Sequence, residues 1–318
     1  MAEKSVEFWW DVASDGYRWV KAIAAGAGEE ELFLTTGAPV GPIGYMRRRY
    51  EPLDEQPGLF RIFADLERSQ DSILDFANKY GHLTRDHSTA GPEGERGSAQ
   101  ARIELSRAGE PYVAEGEPFS YWAHEIDAMR QAAAMWDAVR ERNAEALLGS
   151  IAWRDDGVYF LRAGSDDEPI STYTVHPERL GWLRRGDLFE PAVLWLADRL
   201  NARLERSLPA IFQWSPERPG ELHLFYIPGS LIEAMWLQFA FAVDENRDYR
   251  KCLQCGTWFE LAPDKARANR LFCSSACKSR NYRERKARAQ ELFERGMAIE
   301  AIARELGTEA ETVEGWVK

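Results

Sequence analysis

The chain has 318 residues, a formal net charge of −12, and 45% hydrophobic and 12% aromatic residues. This composition excludes a disordered or fibrous protein, and the length allows one large domain with its own core and a smaller second one. No apolar run approaches the roughly 18–20 residues of a membrane helix, and the acidic, aromatic start MAEKSVEFWWDV differs from a cationic leader. We therefore expect a cytoplasmic protein with no membrane partner.

Residues 1–248 predict a large mixed α+β domain. Runs of β-branched and aromatic residues indicate its strands, and apolar residues that recur every three or four positions indicate its helices. The predicted strands are 6–12, 31–36, 158–162, 170–175, 210–214 and 221–227, and the predicted helices are 59–81, 118–149, 187–205 and 230–246. Glycine and polar residues predict a loop or a joint between subdomains near 88–100.

Catalytic motifs are missing from the sequence of this domain. His124 and Glu125 begin a pattern like H-E-x-x-H, but Ala128 stands where the second histidine would be. No nucleophile elbow, phosphate-binding loop or dinucleotide fingerprint occurs, and no cysteine of the domain could act as a nucleophile. We predict that the protein is not an enzyme and that this domain senses an unknown ligand, binds a protein or forms a homodimer.

All four cysteines lie in two nearby segments, KCLQCGTWFE and LFCSSACKSR. Two residues separate Cys252 from Cys255, three separate Cys273 from Cys277, and seventeen lie between the pairs. This spacing is close to that of four-cysteine zinc sites, and paired cysteines in a reducing cytosol are more often metal ligands than disulfides. We predict one structural Zn²⁺ ion, because four thiolates leave no open position for catalysis.

The residues around the cysteines predict the local fold of residues 249–288. Gly256 suits a tight turn after the first pair, because glycine tolerates a positive φ. Residues 257–261 have strand character, and Ser274 and Ser275 can cap a helix that holds Cys277 in its first turn. A turn, a hairpin and a helix N-terminus together predict a treble-clef-like zinc finger.

These motifs also resemble a known group of proteins. C-x-x-C-G-x-x-F followed by F-C-S-x-x-C-K-x-R-x-Y-R-x-R is similar to the finger of uncharacterised bacterial proteins related to the CGNR zinc-finger group. That group is described as stress-induced transcription regulators with a helical N-terminal domain. Here Cys277-Lys278-Ser279-Arg280 replaces the group's Cys-Gly-Asn-Arg, and the spacing of the second pair differs. The resemblance implies a finger of similar type.

Charge divides unevenly along the chain. From Arg250 to Lys318 there are 14 Lys and Arg and 10 Asp and Glu, so this part carries +4 and the preceding residues −16. The helix predicted after Cys277 is rich in bases, which we predict to contact nucleic-acid phosphates beside a stacking tyrosine. The candidates are Lys278, Arg280, Tyr282, Arg283, Arg285, Lys286 and Arg288. A solvated helix without a partner is the alternative.

Residues 289–318 predict a small three-helix unit of the helix-turn-helix type. Gly296 and Gly307 mark its turns, and small Ala303 allows close helix crossing. The predicted apolar positions are Leu292, Ile299, Ile302, Ala303, Leu306, Val313 and Trp316.

The last helix of this unit contains residues that favour DNA recognition and residues that oppose it. Thr308 and Thr312 are the candidates for base contacts, but Glu309, Glu311 and Glu314 are opposed only by Lys318. Phosphates repel such carboxylates. Two interpretations stay open: this helix reads bases while the basic helix holds the DNA backbone, or the three-helix unit contacts a protein.

Together these features predict a DNA-binding protein with a zinc finger and a helix-turn-helix, a transcription regulator whose N-terminal domain senses a ligand or dimerises. Double-stranded DNA is the expected partner. One alternative is an adaptor whose C-terminal part binds RNA or a protein. Another is a nucleic-acid-directed enzyme with its active site in residues 1–248.

Overall fold

The computed structural model describes residues 5–6, 8–24, 30–36, 47–84, 101–107, 110–155, 157–161, 169–173, 183–205, 210–214, 222–261 and 270–318. The chain divides into two compact units, which we call unit 1 (Met1–Asn246) and unit 2 (Arg247–Lys318). Helices and strands are mixed in the chain, which confirms the α+β class. The joint predicted near 88–100 lies outside the described residues.

Unit 1 contains several small sheets. Its described strands are β1 (Ser5–Val6), β2 (Trp10–Ala13), β3 (Tyr17–Ile23), β4 (Glu30–Thr36), β5 (Arg47–Tyr50), β6 (Ala101–Arg107), β7 (Glu110–Pro118), β8 (Ile151–Arg154), β9 (Gly157–Leu161), β10 (Pro169–Tyr173), β11 (Ala210–Trp214) and β12 (Leu222–Tyr226). The sheet orders are β3-β4-β7-β6, β10-β9-β8, β1-β12-β11 and β2-β5. The described strand pairs are antiparallel except β1 with β12. Most of the pairs join strands with consecutive numbers.

The helices of unit 1 enclose an aromatic core. They are α1 (Pro52–Glu55), α2 (Leu59–Ala64), α3 (Gln70–Tyr80), α4 (Phe119–Arg140), α5 (Ala144–Leu148), α6 (Phe189–Glu205) and α7 (Leu231–Asp244). The ring of Phe239 on α7 lies 5.2 Å from Phe60 and 5.7 Å from Trp136, centroid to centroid. None of the described helices is long and apolar enough to cross a bilayer.

Two helices that the sequence predicts as continuous are each divided in two. The segment 59–81 forms α2 and α3, because Arg130 donates to the carbonyls of Ala64 and Leu66 while Ser69 caps α3. The segment 118–149 forms α4 and α5, since Asn143 caps α5 after a residue of positive φ. Capping groups therefore interrupt two segments in which apolar periodicity continues.

The described residues of unit 2 form a hairpin and three helices. Strands β13 (Asp248–Lys251) and β14 (Trp258–Leu261) pair antiparallel, followed by α8 (Ser275–Glu294), α9 (Ile299–Leu306) and α10 (Ala310–Val317). The helices share a core of Ala289, Leu292, Ile302, Ala303, Val313 and Trp316, with Ile299 and Leu306 partly buried against it. All the predicted apolar positions thus belong to this core or pack against it. The predicted boundary between 288 and 289 falls inside α8, so this helix extends from the cysteine segment into the core.

A buried ion pair in unit 1 gives a test of the fold. The Arg61 guanidinium, whose side chain is 6% exposed, binds both carboxylate oxygens of Asp137 at 2.5 and 2.6 Å. We expect Asp137→Ala to lower the free energy of unfolding by about 3 kcal/mol, because it leaves a buried cation without its counter-charge. Urea unfolding followed by tryptophan fluorescence measures this change.

The matched control is Asp155→Ala, which removes an ion pair with Arg185 between two exposed side chains. We expect this variant to unfold at the same urea concentration as the original protein. Equal destabilisation by the two substitutions would contradict a special role for the buried pair.

Candidate metal centre and basic helix

Four cysteine thiols converge in unit 2. The sulfurs of Cys252, Cys255, Cys273 and Cys277 all lie within 4.8 Å of one another. The Sγ of Cys273 is 3.7 Å from that of Cys255 and 3.5 Å from that of Cys277. A disulfide requires about 2.05 Å, whereas a tetrahedral ion with Zn–S bonds of about 2.3 Å separates its sulfurs by about 3.8 Å. The cluster therefore fits four ligands of one metal ion.

The first cysteine pair lies in the turn between β13 and β14. The N–H of Cys252 donates to the carbonyl of Thr257 at 3.0 Å, and the N–H of Gly256 donates to the carbonyl of Cys252 at 2.8 Å. Gly256 has a φ of 69°, which confirms the reason for glycine at this position. The hairpin thus brings both thiols to one side of a tight turn.

The second cysteine pair lies at the start of α8. Ser274 is the N-cap, and its side-chain oxygen accepts from the N–H of Cys277 at 3.2 Å. This arrangement confirms the predicted place of Cys277 in the first helical turn, although Ser275 is the first helical residue. A hydrogen bond of 3.0 Å from the N–H of Leu253 to the carbonyl of Leu271 joins the two cysteine segments.

The surroundings of the thiols act on their ionisation in different directions. Burial opposes ionisation of Cys252, but hydrogen bonds from backbone N–H groups outweigh it and lower the pKa to about 6. Burial and then the neighbouring thiols raise the pKa of Cys273 to about 12. A thiol beside three others holds its proton when no cation offsets their charge, and a divalent ion at the centre would take the place of that proton.

Three basic residues among the predicted contacts are exposed on the first half of α8. Lys278 and Arg280 have no side-chain hydrogen bond or ion pair among the described residues, and Arg283 makes one bond of 3.4 Å to the carbonyl of Ser279. Lys286 is half-buried and likewise has no such partner in the described part of the chain. The nearby Glu284 accepts from Gln254 at 2.8 Å instead of pairing with a base of α8. Positive charge is therefore left uncompensated here.

Two other predicted contact residues face their own unit. Arg285 donates to the carbonyls of Leu306 at 2.8 Å and Gly307 at 3.3 Å, at the C-terminus of α9. Arg288 pairs with Glu291 at 2.8 Å and with Glu305 at 3.3 Å. These two guanidiniums connect α8 to the end of α9 and are less available to a ligand than Arg280 or Arg283.

The remaining candidates are one residue of α8 and two residues at or near the start of α10. Tyr282 of α8 is 52% exposed, and its ring stands edge-on to Trp316 of α10 at 5.7 Å. Thr308 is half-buried just before α10, and its N–H donates to the carbonyl of Ala303 at 2.9 Å. Thr312 is exposed on α10. The two threonines therefore lie on a different element from the uncompensated bases of α8, whereas Tyr282 is next to Arg283 in the chain.

Sequence reasoning missed the residues that support the metal centre. Arg270 donates to the carbonyls of Phe272 and Cys273, and its guanidinium lies 5.0 Å from the ring centre of Phe259. Gln254 connects the first cysteine pair to α8 through Glu284. Cysteine spacing identifies the metal ligands, but it contains no signal for residues that hydrogen-bond to the segments holding those ligands.

Three comparisons bear on relatives of the protein. Models of known protein families, curated proteins and solved structures give no match to this chain. Within the described residues, the four cysteines are also the one group of three or more His, Cys, Asp or Glu placed to hold a metal ion. The geometry of this centre is therefore the main guide to function.

We expect the full-length protein, purified under reducing conditions, to bind one equivalent of Zn²⁺. Cys252→Ser, or serine at any of the other three cysteines, should weaken retention at least tenfold because one of four thiolates is lost. Native mass spectrometry measures the bound ion. Ser279→Ala alters an exposed residue of the same segment and should keep the full equivalent; metal content unchanged by all four cysteine variants would contradict the site.

Metal affinity should fall as the pH is lowered. The crowded thiol of Cys273 must lose a proton on binding even at pH 7, and below about pH 6 the Cys252 thiol must lose one as well. Competition with a chelator at pH 5, 6, 7 and 8 measures this dependence, and we expect it to be steepest at the acidic end. An affinity independent of pH would rule out thiolate ligands.

Arg285 should stabilise the turn between α9 and α10. We expect Arg285→Gln to weaken this turn by about 1.5 kcal/mol, since a charged donor to two carbonyls is lost, and cleavage by thermolysin near residues 306–309 to accelerate about tenfold. The neighbouring Lys286→Gln removes the same charge without removing a described hydrogen bond, and it should leave cleavage unchanged. Similar rates for both variants would contradict the role of Arg285.

Proposed function

We propose that the protein binds double-stranded DNA through unit 2 and acts as a transcription regulator, with one structural Zn²⁺ ion on the four cysteines. The observation that carries the proposal is the start of α8, where the cysteine cluster and three uncompensated bases lie within three helical turns. A metal there would supply rigidity, because its ligands come from both the hairpin and the helix.

The charge pattern of α8 supports a polyanionic partner. Exposed arginines that make no ion pair contribute little to folding, whereas they release counterions when they bind phosphates. Arg280 and Arg283 lie in the first three turns of α8, and Cys277 anchors this end of the helix at the cluster. Phosphate contacts would therefore form without first ordering the helix.

The folds proposed for unit 2 are consistent with this role. We interpret the hairpin, the cysteine turn and the start of α8 as a treble-clef-like finger of the type that the CGNR-like resemblance implies. We interpret α8, α9 and α10 as a helix-turn-helix, in which Gly307 ends α9 with a φ of 58° and a three-residue turn leads to α10. Unit 1 would then be the sensing or dimerisation part of the regulator.

The test is a fluorescence-anisotropy titration of labelled duplex DNA with the full-length, zinc-loaded protein at low salt. We expect binding that weakens at least tenfold in the double variant Arg280→Glu with Arg283→Glu, because phosphates repel the new carboxylates. Removal of zinc with a chelator should have a similar effect, since the helix start loses its anchor.

Arg304→Glu is the matched control. Arg304 is also exposed and makes one bond of 3.4 Å to a backbone carbonyl four residues earlier, but it lies on α9. This variant should bind DNA much more tightly than the double variant. Binding of an RNA hairpin but not of duplex DNA would favour the adaptor alternative, and no binding to either would contradict a nucleic-acid function.

A further inference from the structure

The exposed bases of α8 that make no ion pair among the described residues lie near its start. Lys278, Arg280 and Arg283 are exposed there. In the second half of the helix, Glu291 pairs with Arg288 at 2.8 Å and with Arg295 at 2.5 Å. The exposed bases of α8 without an ion pair therefore occupy the half of the helix that begins at the cysteine cluster.

The exposed arginines lie on the side of α8 away from α9 and α10. At about 100° per residue, Arg280 lies about 180° around the helix from Ala289, and Ala289 is fully buried in the three-helix core. Arg283 lies about 120° from Ala289 by the same geometry. A rigid duplex bound by these arginines would thus approach the face of α8 opposite to its contacts with α10.

The outer face of α10 is unsuited to a DNA groove. Val313 and Trp316 face the core, while Glu311 and Glu314 are exposed. The single basic side chain beside them, Lys318, lies 3.4 Å from Glu314. Insertion of this helix into a groove would bring both carboxylates towards phosphates, which costs binding energy that Thr312 alone could not offset.

On the basis of the proposed function, we infer that unit 2 binds duplex DNA of any sequence through Arg280 and Arg283, by contacts to backbone phosphates, and that α10 reads no bases. The two arginines are about 60° apart around α8 and about 4.5 Å apart along its axis, whereas Lys278 lies about 160° around the helix from Arg280. Successive phosphates of one strand rise by about 3.4 Å along the duplex, so two phosphates lie within reach of this pair.

The test is the salt dependence of binding by the full-length, zinc-loaded protein to a labelled random-sequence duplex. Two phosphate contacts predict a slope of log K against log salt of about −1.8, or about 12-fold weaker binding at 200 mM than at 50 mM salt. Arg280→Gln and Arg283→Gln should each reduce the slope by about 0.9, whereas Lys278→Gln, on the opposite side of α8, should leave it unchanged. Arg304→Gln, the matched single-charge control on α9, should also leave it unchanged.

Selection of bound duplexes from a random pool tests the absence of base readout. We expect no sequence to be enriched and Thr312→Ala to bind as tightly as the original protein. An enriched sequence whose preference is lost in Thr312→Ala would overturn this inference and leave the proposed function intact. A slope that Arg304→Gln reduces as much as Arg283→Gln would also overturn the inference alone, whereas no binding at 50 mM salt would overturn both.

Discussion

Four thiols held within 4.8 Å of one another are the constraint on which unit 2 depends. Their ionisation would place several negative charges together, and the raised pKa of Cys273 reflects burial first and then this crowding. A divalent cation would convert the mutual repulsion into four metal–ligand bonds and would fix the two cysteine segments relative to each other. The backbone is already arranged for this outcome, with one pair in a hairpin turn and the other at a capped helix start.

Helix α8 connects this centre to everything else that we propose for unit 2. Its first turn contains Cys277, and its last turns contain Ala289 and Leu292 of the three-helix core. The exposed bases lie between these two ends, so both the cysteine cluster and the core would restrain them. This arrangement explains how a short basic segment could hold Arg280 and Arg283 on one face of the helix without ion pairs to acidic neighbours.

The sequence predicts those parts of the site that depend on local chemistry. Cysteine spacing identified the cluster, Gly256 was expected from the turn and Ser274 from the helix start, because each acts on residues close to it in the chain. The role of Arg285 could not be predicted, since its acceptors, Leu306 and Gly307, are about twenty residues away. The six bases of α8 cannot be distinguished by sequence, because only tertiary contacts show which of them are exposed and which bind other parts of unit 2.

The same limit applies to the fold of unit 1. Apolar periodicity predicted most of its helices, but Arg130 on α4 helps to end α2 through hydrogen bonds that connect distant segments. Strand β7 was not predicted, because one glycine, two prolines and three glutamates weaken its strand pattern. Gly116 of β7 is required by its neighbours instead, since a Cβ there would lie 2.9 Å from the Cβ of Phe33.

Hydrogen exchange of the full-length protein, with zinc bound and after its removal by a chelator, tests the dependence of the basic helix on the metal centre most directly. Backbone amides of residues 252–261 and 275–283 should lose protection when the metal leaves, while those of α9 and α10 should keep theirs, because their core contains no metal ligand. Equal protection of residues 275–283 in both states would contradict the idea that the four thiolates hold the basic segment in place.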